Sequence, residues 1–140
     1  MSDRAFIDSN VWVYAFMTGD DKRIAAANQL IEQTKAIQLS TQVVNEVCSV
    51  LLRKHRVTDN AITDYIDYFY DEFPVATLDE GVIRYASSLR IRHAFSFWDS
   101  LIAATAIENS CATLYSEDMQ HEMVVAGTRI INPFRNLNDD

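Results

Sequence analysis

Short, largely apolar runs alternate with longer stretches of helical periodicity along this chain, and that alternation constrains its fold more than any other feature. Ala5-Phe6-Ile7, Ile37-Gln38-Leu39 and residues 111–115 and 129–131 read as brief buried strands. Between them lie a short helical stretch over 11–16 and an amphipathic helix over 21–36, the latter with Ile24, Ala27, Leu30, Ile31 and Thr34 on one side. Ser40 or Thr41 caps a helix through 53, in which Val43, Val44, Val47, Val50 and Leu51 are spaced for burial. Thr58-Asp59 opens a Tyr- and Phe-rich helix that runs to 73 and stops before Pro74. Asp79 opens a helix to about 91, and Ser96 one through 108 that is apolar nearly all round, as a buried helix is. Strands this short, separated by helices, predict an α/β fold with a parallel sheet covered on both faces.

Composition agrees. The chain has 140 residues, 49% of them hydrophobic, enough for one domain with its own core and no staples. Only three glycines and two prolines are present, which argues against a many-turned all-β fold. Cys48 and Cys111 form no C-x-x-C pair and read as buried, reduced thiols of a cytoplasmic protein. No signal peptide or membrane span is expected from the N-terminal pattern. The net charge of −8 counts against a phosphate-binding surface, unless cations bound by the acids invert the sign locally or a basic protein partner covers them.

In parallel sheets ligands bind beyond the carboxyl ends of the strands. Asp8 directly follows the first strand, Asp118 follows the strand over 111–115, and Asp99 lies in the first turn of the buried helix. Each has a plain structural reading: Asp8 as a helix N-cap, Asp99 with Ser96 as an S-x-x-D capping box, Asp118 as a loop acid. Glu46 is harder to dismiss, because Val43, Val47 and Val50 put it on or beside an apolar stripe, where a carboxylate needs a partner unless it snorkels to the surface. Several carboxylates around one cavity raise one another's proton affinity, and a divalent cation relieves the repulsion. Hard oxygen ligands suit Mg²⁺ or Mn²⁺, ions that activate water and neutralise charge on a phosphodiester. Ser9, Asn10 and Ser116 add neutral polar groups nearby.

Other chemistries lack their residues. His55, His93 and His121 show no H-E-x-x-H or paired metal spacing and read as surface or loop residues, and there is no P-loop, G-x-G-x-x-G or G-x-S-x-G. Arg53-Lys54-His55-Arg56 either touches phosphate near the helix bearing Glu46 or complements that helix's C-terminus.

These motifs resemble the PIN-domain family, and within it the VapC-like toxin nucleases of type II toxin–antitoxin modules. Phe6-Ile7-Asp8-Ser9-Asn10-Val11-Trp12 is similar to that family's strand-then-D-[ST]-N start. Ser40-Thr41-Gln42-Val43-Val44-Asn45-Glu46-Val47, Phe97-Trp98-Asp99-Ser100-Leu101-Ile102-Ala103-Ala104 and Leu114-Tyr115-Ser116-Glu117-Asp118-Met119-Gln120 resemble its second, third and fourth motifs, and Ile131-Asn132-Pro133-Phe134 its ending. The resemblance implies a three-layer α/β/α sandwich with a central parallel sheet, Mg²⁺- or Mn²⁺-dependent cleavage of RNA, a cognate antitoxin and, commonly, a homodimer. It also implies that Asp8, Glu46, Asp99 and Asp118 ligate metal or position the attacking water, with Glu117 an uncertain neighbour. Two other classes stay open. A haloacid-dehalogenase-like phosphatase also has an Asp after its first strand, but needs an acid two residues on, where Asn10 stands. A non-enzymatic, partner-binding module is the other. A receiver-like domain would pair its acidic pocket with a lysine after a late strand, but the lysines are Lys22, Lys35 and Lys54, none of them late. A degenerate PIN domain would have lost an acid, but all four are present.

Overall fold

The computed structural model describes residues 3–137. Its elements in chain order are β1 (Arg4–Ile7), α1 (Ser9–Phe16), α2 (Lys22–Gln33), β2 (Ala36–Ser40), α3 (Thr41–Lys54), α4 (Asp59–Glu72), β3 (Val75–Ala76), α5 (Glu80–Arg92), α6 (Phe97–Glu108), β4 (Thr113–Tyr115), β5 (Val124–Val125) and β6 (Thr128–Ile131). The strands form one sheet in the order β3-β2-β1-β4-β6-β5. Every neighbouring pair is parallel except β5 with β6. Three successive residues of β1, Ala5, Phe6 and Ile7, are buried, so both faces of the central strand are covered, as in a three-layer α/β/α sandwich. On the helical side α1 packs on α2 and α3, α3 on α4, and α5 on α6.

Local chemistry sets the element ends. Ser40, Thr58, Asp79 and Ser96 each cap a helix by accepting a backbone N–H, from Val43, Ala61, Val82 and Asp99 respectively. The helix expected over 21–36 stops at Gln33, because Ala36 is already paired with Arg4 in the sheet. Two strands are absent from the sequence reading, β3 and β5, each of two residues and too short for any periodicity to register. The β5–β6 hairpin turns on Ala126 and Gly127, both at positive φ (48° and 85°), as its tight two-residue loop requires. Cys111 is buried and Cys48 only half-buried, and both are free thiols. His121 is half-buried, with Nδ1 accepting the Asn132 N–H at 3.0 Å, while His55 and His93 end helices α3 and α5. Among the described residues no helix is long and apolar enough to cross a membrane.

An aromatic cluster fixes the wall behind the first strand. Trp12 is fully buried, edge-on to Phe69 at 5.2 Å and beside Phe73 at 5.2 Å, and its indole N–H donates to the Ile7 carbonyl at 3.1 Å. The apolar face of α1 through Val11, Trp12 and Val13 is therefore core.

Candidate active site

Chain direction in the sheet reverses its order between β1 and β4: β2 and β3 lie on one side of β1, and β6 and β5 on the far side of β4. At such a switch point the connections leave on opposite faces and open a crevice beyond the carboxyl ends. Ile7 is paired with Tyr115 at that edge, so the residues that follow, Asp8 and Ser116, stand side by side. The Ser116 hydroxyl donates to Asp8 Oδ2 at 2.9 Å. Asp8 Oδ1 accepts the Ser9 N–H at 2.7 Å, which makes Asp8 the N-cap of α1. The capping role read from sequence and membership of an acid cluster thus belong to one carboxylate.

The next strand, β2, ends at Ser40, and α3 begins immediately, which brings Glu46 back over the same edge. The Ser9 hydroxyl donates to Glu46 Oε2 at 2.7 Å, and Gln42 Nε2 donates to Glu46 Oε1 at 2.8 Å. Glu46 is half-buried and doubly held, which answers its need for partners beside the valines. Asn10 Nδ2 reaches across to Asp118 Oδ2 at 2.7 Å, tying the loop after β4 to α1. Asp99 enters from the first turn of α6, its N–H donating to the Ser96 hydroxyl at 3.1 Å as the capping reading requires.

Electrostatics connects all four acids. Burial pushes the Asp8 carboxyl up to about 6; the hydrogen bonds from Ser9 and Ser116 oppose that, and the charges of Glu46 and Asp99 reinforce it. Asp99 is raised as well, first by burial and then by Asp118 and Glu46, against its hydrogen bond with Ser96. Asp8, Glu46, Asp99 and Asp118 therefore converge within reach of one another's fields. Ser9, Asn10 and Ser116 supply the neutral bridges between them or to them. Glu117 departs from this group: its recorded ion pair is with Arg23, at 3.5 Å.

Among the described residues no three acid, histidine or cysteine side chains close into a ready-made metal cage. The donor chemistry nevertheless fits a small hard cation: the carboxylates act on one another through their charges, and Asp8 and Asp99 are raised first by burial and further by those neighbouring charges. Mg²⁺ is commonly held by one or two carboxylates with water and a substrate phosphate, rather than by an all-protein cage. A further oxygen nearby lacks a partner, since Gln42 Oε1 is buried without a hydrogen bond one helical turn before Glu46. Gln42 is the supporting residue the sequence reading passed over. Its spacing of four from Glu46 was the available signal, because that spacing puts the two on one helix face.

The model of the PIN domain matches residues 5–125, most of the chain and all four acids. The chain belongs to the PIN-domain family. No curated protein matches this PIN domain in sequence. Solved structures match its fold. One is a toxin–antitoxin complex from Klebsiella pneumoniae (17% identity, TM-score 0.71, covering 92% of this chain and 97% of that one). Another is FitAcB from Neisseria gonorrhoeae (16% identity, TM-score 0.68, 93% and 98%). A third is VapC20 from Mycobacterium tuberculosis, described as a sarcin–ricin loop cleaving toxin (19% identity, TM-score 0.66, 79% and 86%).

Proposed function

We propose that this PIN domain is a divalent-metal-dependent ribonuclease that hydrolyses RNA phosphodiester bonds, and that it is the toxin of a type II toxin–antitoxin module. The observation that carries the reading is the convergence of Asp8, Glu46, Asp99 and Asp118 at the sheet's switch point, with Asp8 raised to about 6 and Asp99 raised as well. Mg²⁺ or Mn²⁺ held among these four would supply charge neutralisation at the phosphodiester and acidify the attacking water. The chain's own residues do the rest. Ser9 and Gln42 hold the two oxygens of Glu46, Ser116 and the Ser9 N–H hold Asp8, and Asn10 holds Asp118, so each acid is oriented before substrate arrives. Asp99, brought to the cluster by the first turn of α6, would hold the cation or position the attacking water.

The toxin reading is supported by the fold neighbours, one of them described as a sarcin–ricin loop cleaving toxin and another as a toxin–antitoxin complex. A cognate antitoxin, a homodimer, one domain carrying the whole site and cytoplasmic residence belong to the same proposal. Net charge of −8 favours a basic partner, whose arginines suit bidentate capture of carboxylates. Free Cys48 and Cys111 agree with a reducing compartment.

The test is RNA cleavage by purified protein across a metal series, with Asp99→Asn alongside. Mg²⁺ and Mn²⁺ should support cleavage, Ca²⁺ poorly, and EDTA should abolish it. Asp99→Asn should lose roughly a hundredfold or more in kcat, on the scale of losing one positioned electrostatic group at the reacting centre. Its melting temperature should stay close to wild type, since the Asp99 N–H to Ser96 bond is a backbone contact. Full activity in EDTA with metal-free protein, or an active Asp99→Asn, would overturn the mechanism.

A further inference from the structure

A groove of about 720 Å³ leaves the acid cluster at Ser9 and Glu46 and runs along α3 to Arg53, with Trp98 in its wall. Trp98 is 62% exposed, at the start of a helix whose following residues Ser100 through Ala106 are all buried. Phe97 beside it is also exposed and meets it edge-on at 5.2 Å. Large rings left in water next to a cluster of charged groups give up burial that the core could have used. Farther along α3, Arg53 also lines the groove, and its Nε–H donates to the Ser49 hydroxyl one turn earlier at 3.1 Å. Asn45 lines the space between and offers both a donor and an acceptor. A flat π-surface, an amide and a guanidinium in sequence match the three parts of a nucleotide: base face, base edge and phosphate.

We propose that this groove is a nucleotide subsite, in which an unpaired base of the RNA next to the scissile phosphate stacks on Trp98 while a neighbouring phosphate pairs with Arg53. The inference rests on the nuclease reading and deepens it by naming the residues of this chain that would hold a base and a phosphate beside the acid cluster. Stacking is tolerant of base identity because every base has a π-face, and any preference would come from Asn45 at the base edge. The site is continuous with the catalytic cluster, so a base bound there fixes the register of the strand over Asp8 and Glu46. A nucleotide suits the groove's chemistry, since a phosphate finds Arg53 while a base finds the Trp98 face and the Asn45 amide.

The test exploits the two tryptophans of the chain. Trp12 is sealed in the core, so a ligand that changes fluorescence by contact reports on Trp98. Phosphorothioate hexamers of adenylate and uridylate, which resist cleavage, should quench Trp98 in the presence of Mg²⁺, and an abasic hexamer of the same charge should not. In cleavage assays Trp98→Ala should raise KM roughly ten- to hundredfold with kcat changed far less, and Trp98→Tyr should restore most of the loss. Arg53→Gln should weaken binding of base-bearing and abasic hexamers alike. Equal quenching by the abasic hexamer, or no quenching by any hexamer, overturns the subsite. So does a fluorescence response to a basic peptide with none to oligonucleotides, which would assign the groove to a protein. RNA cleavage with an unquenched Trp98 and an unchanged KM in Trp98→Ala sinks the subsite and spares the nuclease. Base-dependent quenching by a protein that cleaves no RNA does the reverse.

Discussion

Asp8 serves two ends that oppose each other energetically. As the N-cap of α1 it accepts the Ser9 N–H, a role that stabilises the helix start. As a buried carboxylate beside Glu46 and Asp99 it is costly to ionise, and its pKa stands at about 6 instead of 3.8. The folded state therefore holds the Asp8 proton over a pH range in which the unfolded chain has released it. Below about pH 4 both states are protonated and the penalty is absent; it grows as pH rises and is complete above about 6, reaching up to about 3 kcal/mol. Asp8→Asn removes the ionisation and keeps the cap, because Asn caps as well as Asp and its amide N–H₂ can donate to the Ser116 oxygen. The variant should be catalytically dead yet melt at a higher temperature than wild type at pH 7.5 in EDTA, with the gain gone at pH 4. A variant destabilised equally at both pH values would show that Asp8 is primarily a cap. Ser9 shows why residue-level roles escape a sequence reading: its hydroxyl serves Glu46, thirty-seven residues away, and no local pattern records that bond.

Elements were legible where local rules apply. The caps at Ser40, Thr58, Asp79 and Ser96 and the apolar periodicity of α3 and α6 are short-range features, and the helices start where those residues put them. The β5–β6 hairpin was invisible because its strand β5 has two residues and one of them, Val124, is exposed. Its turn offers a clean test of conformational cost. Gly127 has φ +85°, and a Cβ there would meet nothing within 4 Å, so replacement is opposed by backbone strain alone. Gly127→Ala should cost about 1–2 kcal/mol in a thermal or urea melt, while RNA cleavage at a temperature well below the transition is retained. A neutral Gly127→Ala would mean that the turn relaxes and that the hairpin contributes nothing to the sheet edge.

For the molecule as a whole, charge is the property that the site must reconcile. A chain with 20 acids and 12 Lys and Arg has little general attraction for RNA, so its affinity has to be local. In the proposed nuclease a divalent cation would serve that purpose in the cluster, with a few basic side chains beside it: Arg53 in one groove, and Lys54 and His55 in a second that begins at Asn10, where Arg23 is paired with Asp21 and Glu117. The basic run at 53–55 thus lines grooves on the site's flank, in addition to placing Arg53 and Lys54 in the last turn of α3. If the acids hold Mg²⁺ or Mn²⁺, the ion binds the folded state and should raise its stability. At about a hundredfold over the Kd the gain is about 2.7 kcal/mol, several degrees in melting temperature. The shift should appear at matched ionic strength, shrink in Asp8→Asn, and be absent with Na⁺. A wild-type melt unmoved by either ion would remove the cations from the site.

Sequence alone determined the fold class and the capped helix starts, and it singled out the four acids proposed as the site, because strand and helix periodicity, capping and the family motifs are written in residues close along the chain. Tertiary structure decided what those acids do to one another. The pairing of β1 with β4 brings Asp8 to Ser116 across 108 residues, α3 folds back to bring Glu46 to Ser9, and Asn10 reaches Asp118. It also decided that Trp98 stays in water while Trp12 is buried, although both belong to the same residue type and both lie in the first turns of helices. Burial, and with it the raised proton affinity of Asp8, depends on which surfaces meet around a side chain, and that is a property of the assembled sheet and helices, which no local stretch of sequence carries.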